Sequence, residues 1–144
     1  MKVTEKVSVP REVFYQTLLS LFSQQYQAAT GQDLLPHQLK QGLTYRQTFG
    51  KHQEQSVQVV VDELTPHQAY VVSISSNRGL QRLAYLLEED KDGSLVTYEE
   101  DYLPDGVFNK WNYKLMLPLM KKSLEKRMRL QIQKIAEFAH ADRA

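Results

Sequence analysis

The sequence has no cysteine, a single tryptophan and no long hydrophobic run. The absence of cysteine excludes a disulfide scaffold, thiolate zinc sites and a cysteine nucleophile. The longest apolar stretches are about four or five residues, whereas a membrane-spanning helix needs roughly 20. Charged residues also interrupt the N-terminal segment, at Glu5, Lys6, Arg11 and Glu12, so we expect no signal peptide. Together these absences predict a cytoplasmic protein that does not insert into a membrane.

Composition and charge are those of an ordinary globular domain. The 144 residues are 42% hydrophobic, and 18 basic against 17 acidic residues leave a formal net charge of +1. A chain of this length usually forms one domain with its own core, and we predict a single domain over residues 1–144. The balanced charge gives no reason to expect a nucleic acid partner.

The N-terminal third predicts one strand followed by one helix. Lys2–Val9 alternates in polarity, which is typical of a strand. Pro10 cannot donate to a sheet but suits the first turn of a helix. From Arg11 to about Ala28, apolar residues recur at helical spacing. A further short helical turn is an option within Asp33–Gly42.

The middle and the end of the chain predict a strand meander and a long helix. The predicted strands are Leu43–Phe49, Val57–Leu64, Ala69–Ser76, Gln81–Glu89 and Leu95–Tyr102. The short loops between them favour antiparallel hairpins. A helical period then returns from about Asn109 to Ala141, and Pro118 is expected to start or kink this helix.

This order of elements resembles the START-like (SRPBCC, helix-grip) superfamily, which includes lipid binders of the birch-pollen-allergen type and polyketide cyclases. The strand-to-helix corner Val7–Phe14, and the run Leu64–Pro66 followed by Tyr70, look like the corresponding corners of that group. The resemblance implies an α+β fold in which about six antiparallel strands curve around a long C-terminal helix, with the N-terminal helical segment between strands 1 and 2. More narrowly, the chain resembles a small bacterial domain-of-unknown-function family from Gram-positive species. Fuller members often have seven strands, so we expect one hairpin and the ligand cavity to be reduced.

Strand alternation predicts which side chains face the C-terminal helix, and five of the eight tyrosines fall on that face. A tyrosine offers a large apolar body and one hydroxyl that requires a partner when buried. Hydroxyls that converge on a concave face suit an amphipathic ligand, although each could instead sit at the edge of the core and reach water or backbone. The predicted polar contacts are Tyr45, Tyr70, Tyr85, Tyr98, Glu100 and Tyr102, and the predicted walls are Val59, Ile74, Leu83, Leu117, Met120 and Leu124.

Glu100 is the candidate with the most distinctive chemistry. Alternation points it inward beside Tyr98 and Tyr102, and a buried carboxylate is costly unless paired, so it is a candidate proton donor or acceptor. Its place near a strand end, in an acidic run, favours the alternative of a solvated or salt-bridged group. No metal site and no cofactor are predicted, because the four histidines lack metal-ligand spacing.

The C-terminal quarter is basic and the rest is acidic. Residues 110–144 hold nine basic and three acidic residues, whereas residues 1–109 hold nine basic and fourteen acidic ones. Either the basic helix rests on an acidic rim of the sheet, or a stripe that includes Lys122, Lys126 and Arg129 faces a protein partner.

The leading hypothesis is non-catalytic binding of a small hydrophobic or amphipathic molecule between sheet and C-terminal helix. The alternative is a protein-interaction module that docks through the basic helix or the outer sheet face. A weaker alternative is a cyclase- or hydrolase-like enzyme that uses Glu100 with a tyrosine. The sequence contains no catalytic motif, so enzymatic activity stays open and is the less favoured interpretation.

Overall fold

The structure is a computed structural model that describes residues 1–50, 52, 55–104 and 107–143, with side chains except at 104, 107–119, 142 and 143. The elements in chain order are β1 (Lys2–Val7), α1 (Arg11–Thr30), a 3₁₀ turn (Pro36–Gln38), β2 (Thr44–Phe49), β3 (Gln55–Thr65), β4 (Ala69–Ser76), β5 (Gly79–Asp90), β6 (Gly93–Pro104) and α2 (Val107–Arg143). Over the described residues, neither helix contains an apolar stretch of the length that crossing a membrane requires.

The six strands form one antiparallel sheet in the order β1-β6-β5-β4-β3-β2. Strands β2 to β6 are sequential neighbours, whereas β1 pairs with the last strand, β6. The sheet curves around the C-terminal helix, so the predicted α+β helix-grip architecture with six strands is confirmed.

Several element bounds differ from the sequence-based ones. The turn between β5 and β6 consists of only Lys91 and Asp92, so the ladder continues to the pair Asp90–Gly93. Both strands are therefore longer than predicted. β1 ends at Val7 rather than Val9. Pro118 does not start the C-terminal helix, because α2 already begins at Val107.

A β-bulge in β3 changes which residue faces inward. Simple alternation from Val61 would direct Glu63 into the core, but the register shifts between these two residues. Leu64 therefore lies opposite Tyr70 and packs against the core in place of the glutamate.

Both helices pack against the inner face of the sheet. From α1, Phe14, Leu18 and Phe22 are buried, and α1 ends at Gly31, which adopts the left-handed conformation with φ 74°. Among the described side chains of α2, the buried ones are Met128, Ile132, Ile135, Ala136 and Ala139. The spacing of this second set keeps one face of α2 on the sheet.

Candidate functional site

Three tyrosines lie side by side on the inner face of the sheet. Tyr70 of β4 pairs across the strands with Tyr85 of β5, which pairs with Tyr98 of β6. The rings of Tyr85 and Tyr98 stack with centroids 4.4 Å apart and planes 12° apart, and Tyr70 meets Tyr85 edge-on at 6.0 Å. Phe14 of α1 covers Tyr85 at 6.1 Å. We call these three residues the tyrosine row.

Burial dominates the acid–base behaviour of the tyrosine row. All three side chains are buried, and desolvation raises the pKa of Tyr70, Tyr85 and Tyr98 well above the usual value for tyrosine. Side-chain interactions with Gln131 and Tyr98 lower the pKa of Tyr85, but by less than burial raises it. The hydroxyls therefore remain protonated donors at neutral pH.

Glu100 lies next to the tyrosine row and is paired. Its side chain is 13% exposed; the Tyr98 hydroxyl donates to Oε2, and Arg127 of α2 donates to Oε1 at 2.5 Å. The hydrogen bond to Glu100 also raises the pKa of Arg127. Because each carboxylate oxygen has a donor, the cost of burying the charge is largely offset. Glu100 is thus inward-facing, as alternation predicts, and also salt-bridged, as the alternative has it, while its role as a proton donor or acceptor stays a prediction.

Arg127 is the functional candidate that sequence reasoning missed. Helical spacing places it one turn before Gln131 and beside the buried Met128, so an inward-reaching cation was a possible interpretation. Its partner could not be found from the sequence, because the axial position of α2 over β6 decides which carboxylate it meets.

Three of the predicted apolar wall residues lie on the same inner face of the sheet as this cluster. Leu83 lies directly opposite Glu100 in the β5–β6 ladder, and Val59 lies opposite Ile74 in the β3–β4 ladder. Leu83 and Ile74 are half-buried and Val59 is buried. On α2, Leu124 is half-buried and Met120 is exposed, while the Leu117 side chain lies outside the described residues.

The two remaining tyrosines of the predicted set are held elsewhere. Tyr45 packs edge-on against Phe22 and Tyr26 of α1, at 5.6 and 5.3 Å. The Tyr102 hydroxyl donates to the backbone carbonyl of Arg78 at 2.9 Å. The structure thus brings Tyr70, Tyr85, Tyr98, Glu100 and Leu83 together. Tyr45 is buried against α1 and lies close enough to Tyr70 to raise the pKa of that residue, whereas Tyr102 is held by the β4–β5 turn.

The basic stripe of α2 is partly used within the molecule. Arg129 donates to Glu5 at 2.9 Å and to the Thr4 carbonyl at 3.0 Å, which ties α2 to β1. Lys122 and Lys126 are exposed. Arg129 is therefore used within the molecule, where it pairs with the one glutamate of β1, whereas Lys122 and Lys126 face outward.

In the part of the chain that the structure describes, no group of three histidine or acidic side chains could hold a metal ion. A cleft of about 760 Å³ lies between α1, the segment that carries the 3₁₀ turn and the β3–β4 hairpin, and its lining is largely apolar. It lies outside the predicted site.

Comparison with known proteins identifies the fold. A family model described as "Domain of unknown function (DUF3284)" matches residues 1–121. No curated protein matches the chain. Among solved structures, Ara h 8.0201 has 11% identity and a TM-score of 0.66, over 98% of this chain and 97% of that one. The protein of unknown function SA2116 from Staphylococcus aureus has 10% identity and a TM-score of 0.64, over 99% and 93%.

DynU16, a protein in the dynemicin biosynthetic locus, has 10% identity and a TM-score of 0.61. The match covers 97% of this chain but 46% of DynU16, so the chain spans less than half of that protein's length. At such identities these likenesses show the fold alone. They confirm the START-like helix-grip architecture that the order of elements resembles.

Proposed function

Since the chain belongs to the DUF3284 family of domains of unknown function and has the START-like helix-grip fold, we propose that it binds a small hydrophobic or amphipathic molecule between its sheet and α2. The binding is non-catalytic. The polar contacts come from the tyrosine row and Glu100, and the apolar contacts come from the inner face of the sheet.

The observation that carries this proposal is a charged, hydrogen-bonding cluster beside an incompletely covered apolar surface. Leu83 and Ile74 point to the inner face yet are only half-buried. Farther along the same face, Leu87 and Val96 are 3% and 0% exposed, because α1 and α2 fill that end. A ligand over the half-buried end would remove apolar surface from water, which is favourable by about 25 cal/mol per Å².

The cluster favours a ligand whose polar end donates a hydrogen bond. Each oxygen of Glu100 accepts one hydrogen bond from the described residues, whereas a carboxylate has about four acceptor positions. A hydroxyl or amide N–H on the ligand would donate to one of the remaining acceptor positions of the Glu100 carboxylate. Arg127, whose side chain is 54% exposed, has further donors for an accepting group.

The same contacts support binding over acid–base catalysis. Glu100 is engaged by a cation and a phenol at once. A general base would need a free, tunable group. The cyclase- or hydrolase-like alternative therefore remains the weaker hypothesis.

A neutral fluorescent amphiphile, N-phenyl-1-naphthylamine, tests the proposal. Leu83→Trp should fill the half-buried end of the inner face and abolish saturable binding. Leu86→Trp is the matched control, because Leu86 is exposed on the opposite face of the same strand. The proposal fails if the wild-type protein does not bind the probe, or if both tryptophan variants bind it as well as the wild type does.

Native mass spectrometry of gently purified protein identifies the natural ligand. An adduct that is lost on denaturation can be extracted and named. Tyr98→Phe combined with Glu100→Gln should weaken binding of an adduct with a polar end about tenfold, which is the loss expected for a hydrogen bond to a charged group. Unchanged affinity in that double variant would remove these two residues from the site.

A second candidate function rests on the outward-facing middle of α2. Lys122, Lys126 and Leu130 recur at four-residue spacing on one helix face, and Leu130 is 46% exposed. An exposed leucine beside two lysines suits an acidic protein partner with an apolar anchor. Lys122→Glu with Lys126→Glu should abolish capture of such a partner, whereas Lys40→Glu with Lys91→Glu, both exposed elsewhere, should leave it intact.

A further inference from the structure

A second hollow, of about 530 Å³, lies at the end of the sheet where β2, β3 and the β4–β5 turn meet. It is lined by Arg46, Arg78, three serines and the ring of Phe49, among others, and none of its described lining residues is acidic. We call it the arginine pocket. Its volume falls within the range typical of small-molecule sites.

The strand register explains why these donors converge. Arg46, Gln58 and Ser75 lie directly opposite one another on three adjacent strands. Their side chains form one polar row on the face away from the helices. Arg46 reaches Ser56 at 3.5 Å, and Arg78 enters from the following turn, where its amide donates to the Ser76 hydroxyl.

The two arginines of this pocket differ from those that hold the fold together. Arg11, Arg127 and Arg129 each contact a glutamate. Among the described residues no carboxylate contacts Arg46 or Arg78. Two guanidinium groups that share one hollow repel each other, and an anion between them would relieve that repulsion.

We propose that the arginine pocket binds a phosphate monoester that carries a flat aromatic group. Two guanidiniums and the hydroxyls of Ser56 and Ser75 offer more donors than the two oxygens of a carboxylate can accept, whereas a phosphate ester presents three terminal oxygens. Phe49, which is 43% exposed, supplies an aromatic surface on which the organic group stacks. This site is separate from the tyrosine row, so it goes beyond the function proposed above.

Amide chemical shifts of the ¹⁵N-labelled full chain test the proposal. Inorganic phosphate and phenyl phosphate are each titrated against chloride at equal ionic strength. We expect saturable shifts at residues 56 and 75–78, with phenyl phosphate binding the more tightly. The proposal is overturned if neither compound gives saturable shifts at these positions.

Variants that replace an arginine with the uncharged glutamine identify the groups that bind the phosphate. Arg46→Gln and Arg78→Gln should each weaken phenyl phosphate binding about tenfold, and the double variant should abolish it. Arg82→Gln is the matched control, because Arg82 lies on the same face of the sheet but outside the pocket. Equal affinity in the double variant and the control would refute the assignment. Phe49→Ala should reduce phenyl phosphate to the affinity of inorganic phosphate, and an unchanged preference would refute the aromatic part.

Discussion

Alkaline pH should unfold this protein through its tyrosine row. In the unfolded chain tyrosine ionises near pH 10, whereas in the folded chain burial raises the pKa of Tyr70, Tyr85 and Tyr98. These groups bind more protons when folded, so their stabilising contribution is complete below pH 10 and is lost progressively as the pH rises above it.

The loss of stability per pH unit follows from the number of tyrosines that stay protonated in the folded protein. Each tyrosine that ionises only on unfolding costs about 1.4 kcal/mol per pH unit above pH 10. Three of them lower the free energy of unfolding by about 4 kcal/mol per pH unit. Domains of this kind are stable by roughly 5–15 kcal/mol, so the fold should be lost within a few pH units above 10.

Urea unfolding between pH 8 and pH 12 measures this slope, and tyrosinate absorbance reports the ionisation directly. Tyr98→Phe should reduce the slope by about one third. Ile135→Val is the control, because it removes core packing without a titrating group and should lower stability equally at every pH. The reasoning is refuted if Tyr98→Phe leaves the slope unchanged, or if all eight tyrosines ionise near pH 10 while the protein stays folded.

Three further substitutions test contacts around the site by their effect on the free energy of unfolding. Arg127→Gln should cost about 1–2 kcal/mol, reduced from the buried value because the arginine is half exposed, and much less when Glu100→Gln is already present. Gly93→Ala should cost about 3 kcal/mol or more, since the new Cβ would lie 2.0 Å from the Val7 carbonyl oxygen and β1 would have to move. Ser94→Ala should cost about 1–3 kcal/mol, because the buried hydroxyl donates to a backbone carbonyl at 2.5 Å.

Each of these has an outcome that contradicts it. Additive effects of the Arg127 and Glu100 substitutions would mean that the ion pair contributes nothing to stability. Lys91→Ala, in the exposed turn beside Gly93, should stay within about 0.5 kcal/mol of wild type. If Gly93→Ala changes the free energy of unfolding as little as Lys91→Ala does, β1 does not pass so close to the turn. A neutral Ser94→Ala would show that its hydroxyl is dispensable.

The strand meander was predictable because its signals are local. Alternation over a few residues and short turns define β2 to β6, and the structure follows them closely. The bulge at Val61 was not predictable, since it depends on the partner strand rather than on the residues of β3. Alternation alone therefore misassigns Glu63 and Leu64.

The candidate site was likewise predictable only in part. Tyr70, Tyr85, Tyr98 and Glu100 were predictable as inward-facing because strand periodicity decides the face. Their pairing with Arg127 was not, because it requires the rotation and axial position of a helix that is distant in sequence. Strand periodicity also could not predict the position of the Tyr102 hydroxyl, because that hydroxyl donates a hydrogen bond to the carbonyl of Arg78 in the β4–β5 turn.

The pairing of β1 with β6 has a consequence for biosynthesis. Thr4 and Thr97, which face each other in the finished sheet, are 93 residues apart. A ribosome makes β1 first, but its partner strand emerges only after the whole meander. The side chains of α2 that tie it to β1 and β6 emerge later still. The meander is thus free to form hairpins during translation, while the backbone groups of β1 remain unpaired until β6 has been made. We expect the slow step of folding to be this late pairing of β1 with β6, which makes the nascent chain most exposed to chaperones just before α2 emerges.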